Sequence, residues 1–237
     1  MCRYSVIIPA YNEAEWLPKS IAALKHAMDT LSIPGEMIVV DNNSTDQTAD
    51  VARRYGARVV FEAKNQISRA RNAGAGVARG LYFIFLDADT LISSELLKKV
   101  LDDLESAACC GGGALIRFDR TCGPFARLIL WFWTAVSKQG RLAAGSFIYC
   151  LRDAFGDIGG FSEAVYAGEE IFFSQALKRW GKKRGKPFRL ITDYPVITSA
   201  RKLSHPFKVV LATVLCVFFP FSIYFKSLCG YWYKRSA

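Results

Sequence analysis

Short apolar runs, each cut off by a polar or acidic residue, alternate with stretches of helical period through the first half of the chain. Tyr4 to Ile8 is the first run, with Pro9 as its expected stop. Asn12 with Glu15 three residues later has the form of a capping box, and Leu17, Ile21, Leu24 and Met28 continue one helical face. Met37 to Val40 makes a second buried strand, ending at Asp41. Ser44 with Gln47 opens a second helix, which Gly56 closes after Tyr55. Val59 to Phe61 reads as a third strand, followed by a small-residue helix over 68–78. Leu81 to Leu86 is apolar throughout, the pattern of a strand buried on both faces inside a parallel sheet. Ser93-Ser94-Glu95 begins the next helix. Repeated β-α-β units predict an α/β fold: a Rossmann-like, mostly parallel sheet flanked by helices, with right-handed crossovers.

The second half is less regular. Gly111-Gly112-Gly113 and the run to Phe118 suggest a strand reached through a flexible turn. Pro124 to Val136, with Trp131 and Trp133, suits either a buried core helix or one lying in a bilayer surface. Gly159-Gly160-Phe161 marks a tight turn. Glu169-Glu170 starts a helix through Ile171, Phe173, Leu177 and Trp180, ended by Gly181. Val209 to Phe225 then carries no charge, though Pro220 interrupts it. At 1.5 Å per residue it reaches about 25 Å, slightly short of a ~30 Å hydrocarbon core. It therefore reads as a membrane-associating helical segment that spans, re-enters or lies on the bilayer, the alternative being an ordinary buried helix.

Composition sharpens this picture. A hydrophobic fraction of 51% is high for a freely soluble enzyme, and the excess gathers near the C-terminus. The net charge is +10, with Lys178, Arg179, Lys182, Lys183, Arg184, Lys186 and Arg189 in one stretch. Such a cluster suits anionic lipid or nucleic acid, or is simply a solvated face. The seven cysteines include no Cys-x-x-Cys pair, and their odd number excludes a complete disulfide framework; they read as reduced cytosolic thiols. Met1-Cys2-Arg3-Tyr4 passes straight into a strand, so no signal peptide is expected.

The candidate chemistry begins at Asp87-Ala88-Asp89, directly after the strand 81–86. Open α/β sheets place their ligands at the carboxyl ends of strands. Two aspartates one residue apart supply hard oxygen ligands for a divalent cation on a diphosphate. Alone, such a pair is more often a solvated turn before the next helix. Its neighbours decide the matter.

Ser5-Val6-Ile7-Ile8-Pro9-Ala10-Tyr11-Asn12-Glu13 resembles the opening strand and loop of the family 2 glycosyltransferases, which have the GT-A fold. The run from Val39 through Asp41-Asn42-Asn43-Ser44 to Thr48 is similar to the family's second signature, usually written Asp-Asp-Gly-Ser. Ala70-Arg71-Asn72-Ala73-Gly74 and Asp87-Ala88-Asp89 match the third and fourth. Gly159-Gly160-Phe161 and Gly168-Glu169-Glu170 resemble the acceptor-side motifs. The resemblance covers about residues 3 to 200, with six motifs in order.

It implies a GT-A domain over 1–206, with a nucleotide-binding half to about 118 and an acceptor half over about 119–206, then a C-terminal membrane-associating segment over 207–237. It implies a nucleotide-sugar donor held by Pro9, Ala10, Tyr11, Glu13, Asp41, Arg71, Asp87, Ala88 and Asp89. In that reading Asp41 accepts the N3–H of a uracil base, favouring a UDP-sugar, and Arg71 lies near the nucleotide. Asp89, with Asp87, would hold Mg²⁺ or Mn²⁺ against the phosphates. Many relatives carry Glu-Asp where this chain has Glu169-Glu170, so Glu170 takes the place of the base that deprotonates the acceptor hydroxyl, with Glu169 as the alternative. A helix dipole there would lower the pKa of both. Arg179-Trp180 lacks a correctly spaced Gln, which argues against a processive polysaccharide synthase.

The expected partners are a nucleotide-sugar donor, a lipid-linked or glycan acceptor and a membrane surface, at the cytoplasmic face of a membrane; no nucleic acid is expected. Transfer to a polyprenyl phosphate keeps the fold but needs no strong base. A non-enzymatic reading, a basic membrane- or nucleic-acid-binding protein, must treat the aspartate signatures as accidents.

Overall fold

A computed structural model describes residues 2–120, 139–140, 143, 145–201, 223–225 and 229. The apolar stretch from Pro124 to Val136 lies outside them, as does Val209 to Phe225 apart from its last three residues. Among the described residues, no helix is long and apolar enough to cross a membrane.

Eight strands are described: β1 (Tyr4–Ala10), β2 (Gly35–Asp41), β3 (Arg58–Phe61), β4 (Tyr82–Leu86), β5 (Thr90–Leu91), β6 (Gly111–Phe118), β7 (Phe147–Leu151) and β8 (Phe188–Thr198). They form one sheet in the order β3-β2-β1-β4-β7-β6-β8-β5. Around it lie α1 (Leu17–Asp29), α2 (Thr48–Arg54), α3 (Ile67–Val77), α4 (Ser94–Glu105), α5 (Arg152–Ile158) and α6 (Glu169–Lys182).

The β3-β2-β1-β4 half is parallel throughout, as the β-α-β pattern predicts. Beyond β4 the sheet turns mixed: β7 runs antiparallel to both β4 and β6, β6 parallels β8, and β5 opposes β8. The expectation of a mostly parallel sheet thus holds for one half. β7 and β8 pair with strands from before residue 118, so one sheet runs through both halves of the chain.

Alternate residues of each strand feed opposite layers. Val6, Ile8, Val39 and Ile84 pack against Leu17, Ile21 and Leu24 of α1 and Leu97, Val100 and Leu101 of α4. Ile7, Val40, Phe83 and Phe85 pack on the other face, against Ala70 of α3, Phe173 and Leu177 of α6, and Phe161. The thiols of Cys109, Cys110 and Cys150 are unbridged and buried in this core.

Several local expectations are corrected. Pro9 does not stop β1, which runs on to Ala10 opposite Asp41. Odd residues of β1 face β4, as the Arg3 carbonyl accepting from Tyr82 shows, and the β4 ladder ends at Ile7. The N–H that proline lacks is therefore not needed. Asn12 and Glu15 form no capping box: α1 begins at Leu17, and Asn12 sits in a left-handed conformation. Nor does Ser44 cap α2, whose Thr48 N–H bonds to Asp46 instead. The triple glycine is no flexible turn but the start of β6. A Cβ on Gly112 would lie 1.7 Å from the Arg189 carbonyl oxygen, so only glycine permits the approach of β8. Helix α6 passes Gly181 to Lys182. Ser93 caps α4 by accepting from Leu96 N–H, and Gly159 and Gly160 make the expected turn, both at positive φ.

Candidate active site

Parallel pairing of β1, β2 and β4 brings their carboxyl ends to one edge of the sheet. There the 10–14 loop is laced to the 44–48 loop by its own backbone. Asn12 N–H donates to Ser44 Oγ at 3.0 Å, Glu13 N–H to Thr48 Oγ1 at 2.8 Å and Ala14 N–H to Asp46 Oδ2 at 3.1 Å. Asp41 Oδ1 accepts from Ser44 N–H at 3.0 Å, which folds the turn after β2. Asn42 donates to the Glu62 and Lys64 carbonyls and accepts from Gln66 N–H, fixing the entry to α3.

Arg71 projects from α3 into the middle of the molecule and is 1% exposed. Its Nη1 bonds Glu169 Oε1 at 2.8 Å; its Nη2 bonds the Gly145 carbonyl at 2.6 Å and Asp87 Oδ1 at 3.2 Å. The guanidinium lies 5.0 Å from the Phe161 ring centroid. The planar fork of arginine reaches all of these at once, as the single point charge of lysine cannot. Arg71 therefore joins the aspartate loop of β4 to the first turn of α6, rather than pointing into solvent. Its neighbour Asn72 clamps the Gly160-Phe161 turn, donating to the Phe161 carbonyl and accepting from Phe161 N–H, both at 2.9 Å.

The two glutamates differ in what they face. Glu169 takes the guanidinium directly. The Glu170 carboxyl lies against Gly145, where a Cβ would stand 3.5 Å from its Cδ. Burial, and next the adjacent Glu169 carboxylate, push the Glu170 carboxyl up to about 8. This corrects the expectation that the helix dipole lowers it: desolvation and like charge outweigh the backbone contribution.

Asp89 is 8% exposed and is tied to the residues that follow β8. Its carbonyl accepts from Ser199 N–H at 3.2 Å, and its Oδ2 lies 3.0 Å from Arg201 Nη2. The same guanidinium nitrogen bonds Glu13 Oε1, and the guanidinium carbon sits 5.3 Å from the Trp16 ring centroid. Between them, Ala88 is buried in the core and its carbonyl accepts from Ser20 Oγ at 2.7 Å, which pins the loop to α1. Ala10 is likewise a core side chain, and Tyr11 is half-buried at the edge.

Of the residues singled out from sequence, Arg71, Asp87, Glu169 and Glu170 come together around one guanidinium. Glu13 and Asp89 meet at Arg201. Asp41 stands apart at the end of β2, and Pro9 and Ala10 contribute strand and core. Sequence reasoning did not pick out Asn72, Gly145 or Arg201 for these contacts. Asn72 could be suspected from its place beside Arg71, whereas Arg201 is 112 residues past its partner and carries no local signal.

These carboxylates suit a hard divalent cation. Asp89 already pairs with the Arg201 guanidinium at 3.0 Å. Among the described residues no group of three or more His, Cys, Asp or Glu is arranged to hold a metal ion. An ion such as Mg²⁺ takes one or two carboxylates and completes its shell with phosphates and water.

The family described as Glycosyl transferase family 2 matches residues 5–155. An uncharacterised glycosyltransferase of Mycobacterium tuberculosis is 38% identical over 104 residues, 44% of this chain and 44% of that protein. The chain thus matches less than half the length of this relative. Among solved structures, the mannosyltransferase PcManGT of Pyrobaculum calidifontis, in complex with GDP-Man and Mn²⁺, superposes with a TM-score of 0.69 at 20% identity, over 99% of this chain and 65% of that one. The glucosyl-3-phosphoglycerate synthase of M. tuberculosis, with Mn²⁺, UDP and glucosyl-3-phosphoglycerate, gives 0.65 at 20% identity, over 97% and 80%. At such identities the likeness establishes the fold.

Proposed function

The chain belongs to glycosyl transferase family 2, and we propose that it is an inverting, metal-dependent enzyme moving one sugar from a nucleotide-sugar donor to a lipid-linked or glycan acceptor. One observation carries this reading. A single buried guanidinium links Asp87, on the donor-side loop, to Glu169, the neighbour of a carboxyl group whose proton affinity is raised toward neutrality. General bases work best when their pKa lies near the working pH.

In this mechanism the donor nucleoside lies against the laced loops at the ends of β1 and β2, with Asp41 toward the base and Glu13 nearby. Asp87 and Asp89 would hold Mg²⁺ or Mn²⁺, which supplies Lewis-acid neutralisation of the departing diphosphate. Glu170 takes the proton from the acceptor hydroxyl as its oxygen attacks the anomeric carbon and the bond to the diphosphate oxygen breaks on the opposite face. Glu169 keeps Arg71 in register rather than acting as the base. The neighbours' GDP-Man and UDP are consistent with a nucleoside diphosphate leaving group. A UDP donor is our choice on the strength of Asp41.

The proposal of a membrane-bound acceptor rests on the uncharged apolar run from Val209 to Phe225. Tyr166 N–H, on the loop before Gly168, donates to the Ile223 carbonyl at 2.6 Å, which sets the end of the apolar tail beside the acceptor-side motif. The cytoplasmic face of a membrane is the location we propose with it. The contact equally suits a polyprenyl phosphate acceptor, for which Glu170 would be dispensable.

Calorimetry with UDP tests the donor half. UDP should bind when Mn²⁺ is present, and Asp41→Ala should weaken it by about 1.5–3 kcal/mol, the scale of a lost charge-assisted hydrogen bond. An unchanged dissociation constant would remove Asp41 from the site.

A further inference from the structure

Arg201 holds the carboxylate that a metal needs. Its guanidinium bonds Asp89 Oδ2 at 3.0 Å and Glu13 Oε1, and it packs over Trp16. Both carboxylates are nearly inaccessible, with side chains 4% and 1% exposed, whereas the Arg201 side chain is 23% exposed. One cation is therefore already shared by two buried anions. A divalent ion arriving alone at Asp89 must displace or repel that cation at close range, in surroundings that screen charge poorly. An ion arriving with a diphosphate brings an anion to which the arginine fork can turn, since it matches phosphate geometry as well as carboxylate.

We infer that Arg201 is a built-in competitor of the metal, which yields Asp89 to the cation only when a donor diphosphate offers its guanidinium another partner. This rests on the nucleotide-sugar reading above. Its consequence is that metal and nucleotide bind cooperatively, with the free metal held weakly. Because coupling is reciprocal, each ligand tightens the other by the same factor.

Mn²⁺ binding to the full chain, followed by the electron paramagnetic resonance of the free ion, tests this with wild type, Arg201→Gln and Arg201→Lys. Without nucleotide, Arg201→Gln should bind Mn²⁺ about tenfold more tightly than wild type, and Arg201→Lys, which keeps the charge, much less so. Added UDP should tighten Mn²⁺ in wild type by about tenfold and have a markedly smaller effect in Arg201→Gln. A purely structural Arg201 would instead lower both affinities. Equal Mn²⁺ affinity of wild type and Arg201→Gln without nucleotide overturns the inference, as does a UDP effect that survives the substitution, or no Mn²⁺ binding by either protein. Inorganic pyrophosphate separates this from the donor assignment. If it reproduces the coupling while UDP has no effect, the nucleoside reading fails and the role of Arg201 stands.

Discussion

Glu169 and Glu170 are adjacent carboxylates on one helical turn, yet only Glu169 takes the Arg71 guanidinium directly, which leaves Glu170 as the proposed base. Arg71 binds Glu169, so removing that proton acceptor disturbs the buried cation first. Glu170→Gln keeps shape and packing but lacks the proton affinity. It should leave donor affinity nearly unchanged and slow transfer by about 10²–10⁴-fold. The pH dependence has a definite sign. Burial and Glu169 raise the Glu170 carboxyl from its ordinary 4.5 to about 8, and the base is active when ionised. kcat/KM of wild type should climb with pH and level off above about 8, and Glu170→Gln should lack that limb. The same shift touches stability. The folded chain holds this proton more tightly than the unfolded one, so the contribution is complete below pH 4.5 and is lost as pH rises through about 8. A full rate for Glu170→Gln would move the reading to a phosphate acceptor. The residue types here were legible in sequence. Glu170 was also the candidate base there, but the ion pair that sets Glu169 apart was not legible, because it depends on a guanidinium from α3, 98 residues away.

At the scale of elements, the parallel half could be read because each strand is a continuous apolar run between helices. In the mixed half the strand from Gly111 to Phe118 was legible, but β7 and β8 were not. β8 carries Asp193 and Pro195 in its middle, which argue against a strand. The structure absorbs them in an irregularity: Ala114 pairs with Ile191 and Ile116 with Val196, so residues 192–195 leave the ladder. β7 is five residues long and buried among neighbours that sequence alone does not name. α3 shows how tightly the readable half is packed. A Cβ on Gly74 would lie 2.5 Å from Ile7 Cγ2 and 2.9 Å from Val40 Cγ2. Gly74→Ala should therefore destabilise the fold by about 1–3 kcal/mol through overpacking, even though alanine is the better helix former by about 1 kcal/mol. Denaturant unfolding measures this, and a more stable variant would contradict the packing account.

Across the whole molecule, charge and tail divide differently from the impression the sequence gives. The basic cluster at the end of α6 is partly answered internally: Arg189 pairs with Asp103 at 2.7 Å and Arg184 with Asp157 at 3.0 Å. It also lies about 20 Å along α6 from Glu169, at 1.5 Å per residue, so it is ill placed to meet an acceptor at the site. The tail is the better candidate for membrane contact. Deleting residues 207–237 should move the protein from membrane to soluble fraction and spare Mn²⁺-dependent UDP binding, since the proposed nucleotide contacts precede residue 90 and Arg201 remains. Transfer to a lipid-linked acceptor should fall far more than transfer to a soluble analogue. An intact chain found wholly in the soluble fraction would refute the anchor. The central claim is transfer from a nucleotide-sugar with the aid of a metal held at Asp89. The most direct measurement is release of nucleoside diphosphate from a panel of nucleotide-sugars by the full chain, with and without Mn²⁺, beside Asp89→Ala. The account predicts release from at least one donor, only with the metal and only with Asp89 intact; no release from any donor, or release that survives Asp89→Ala, would contradict it.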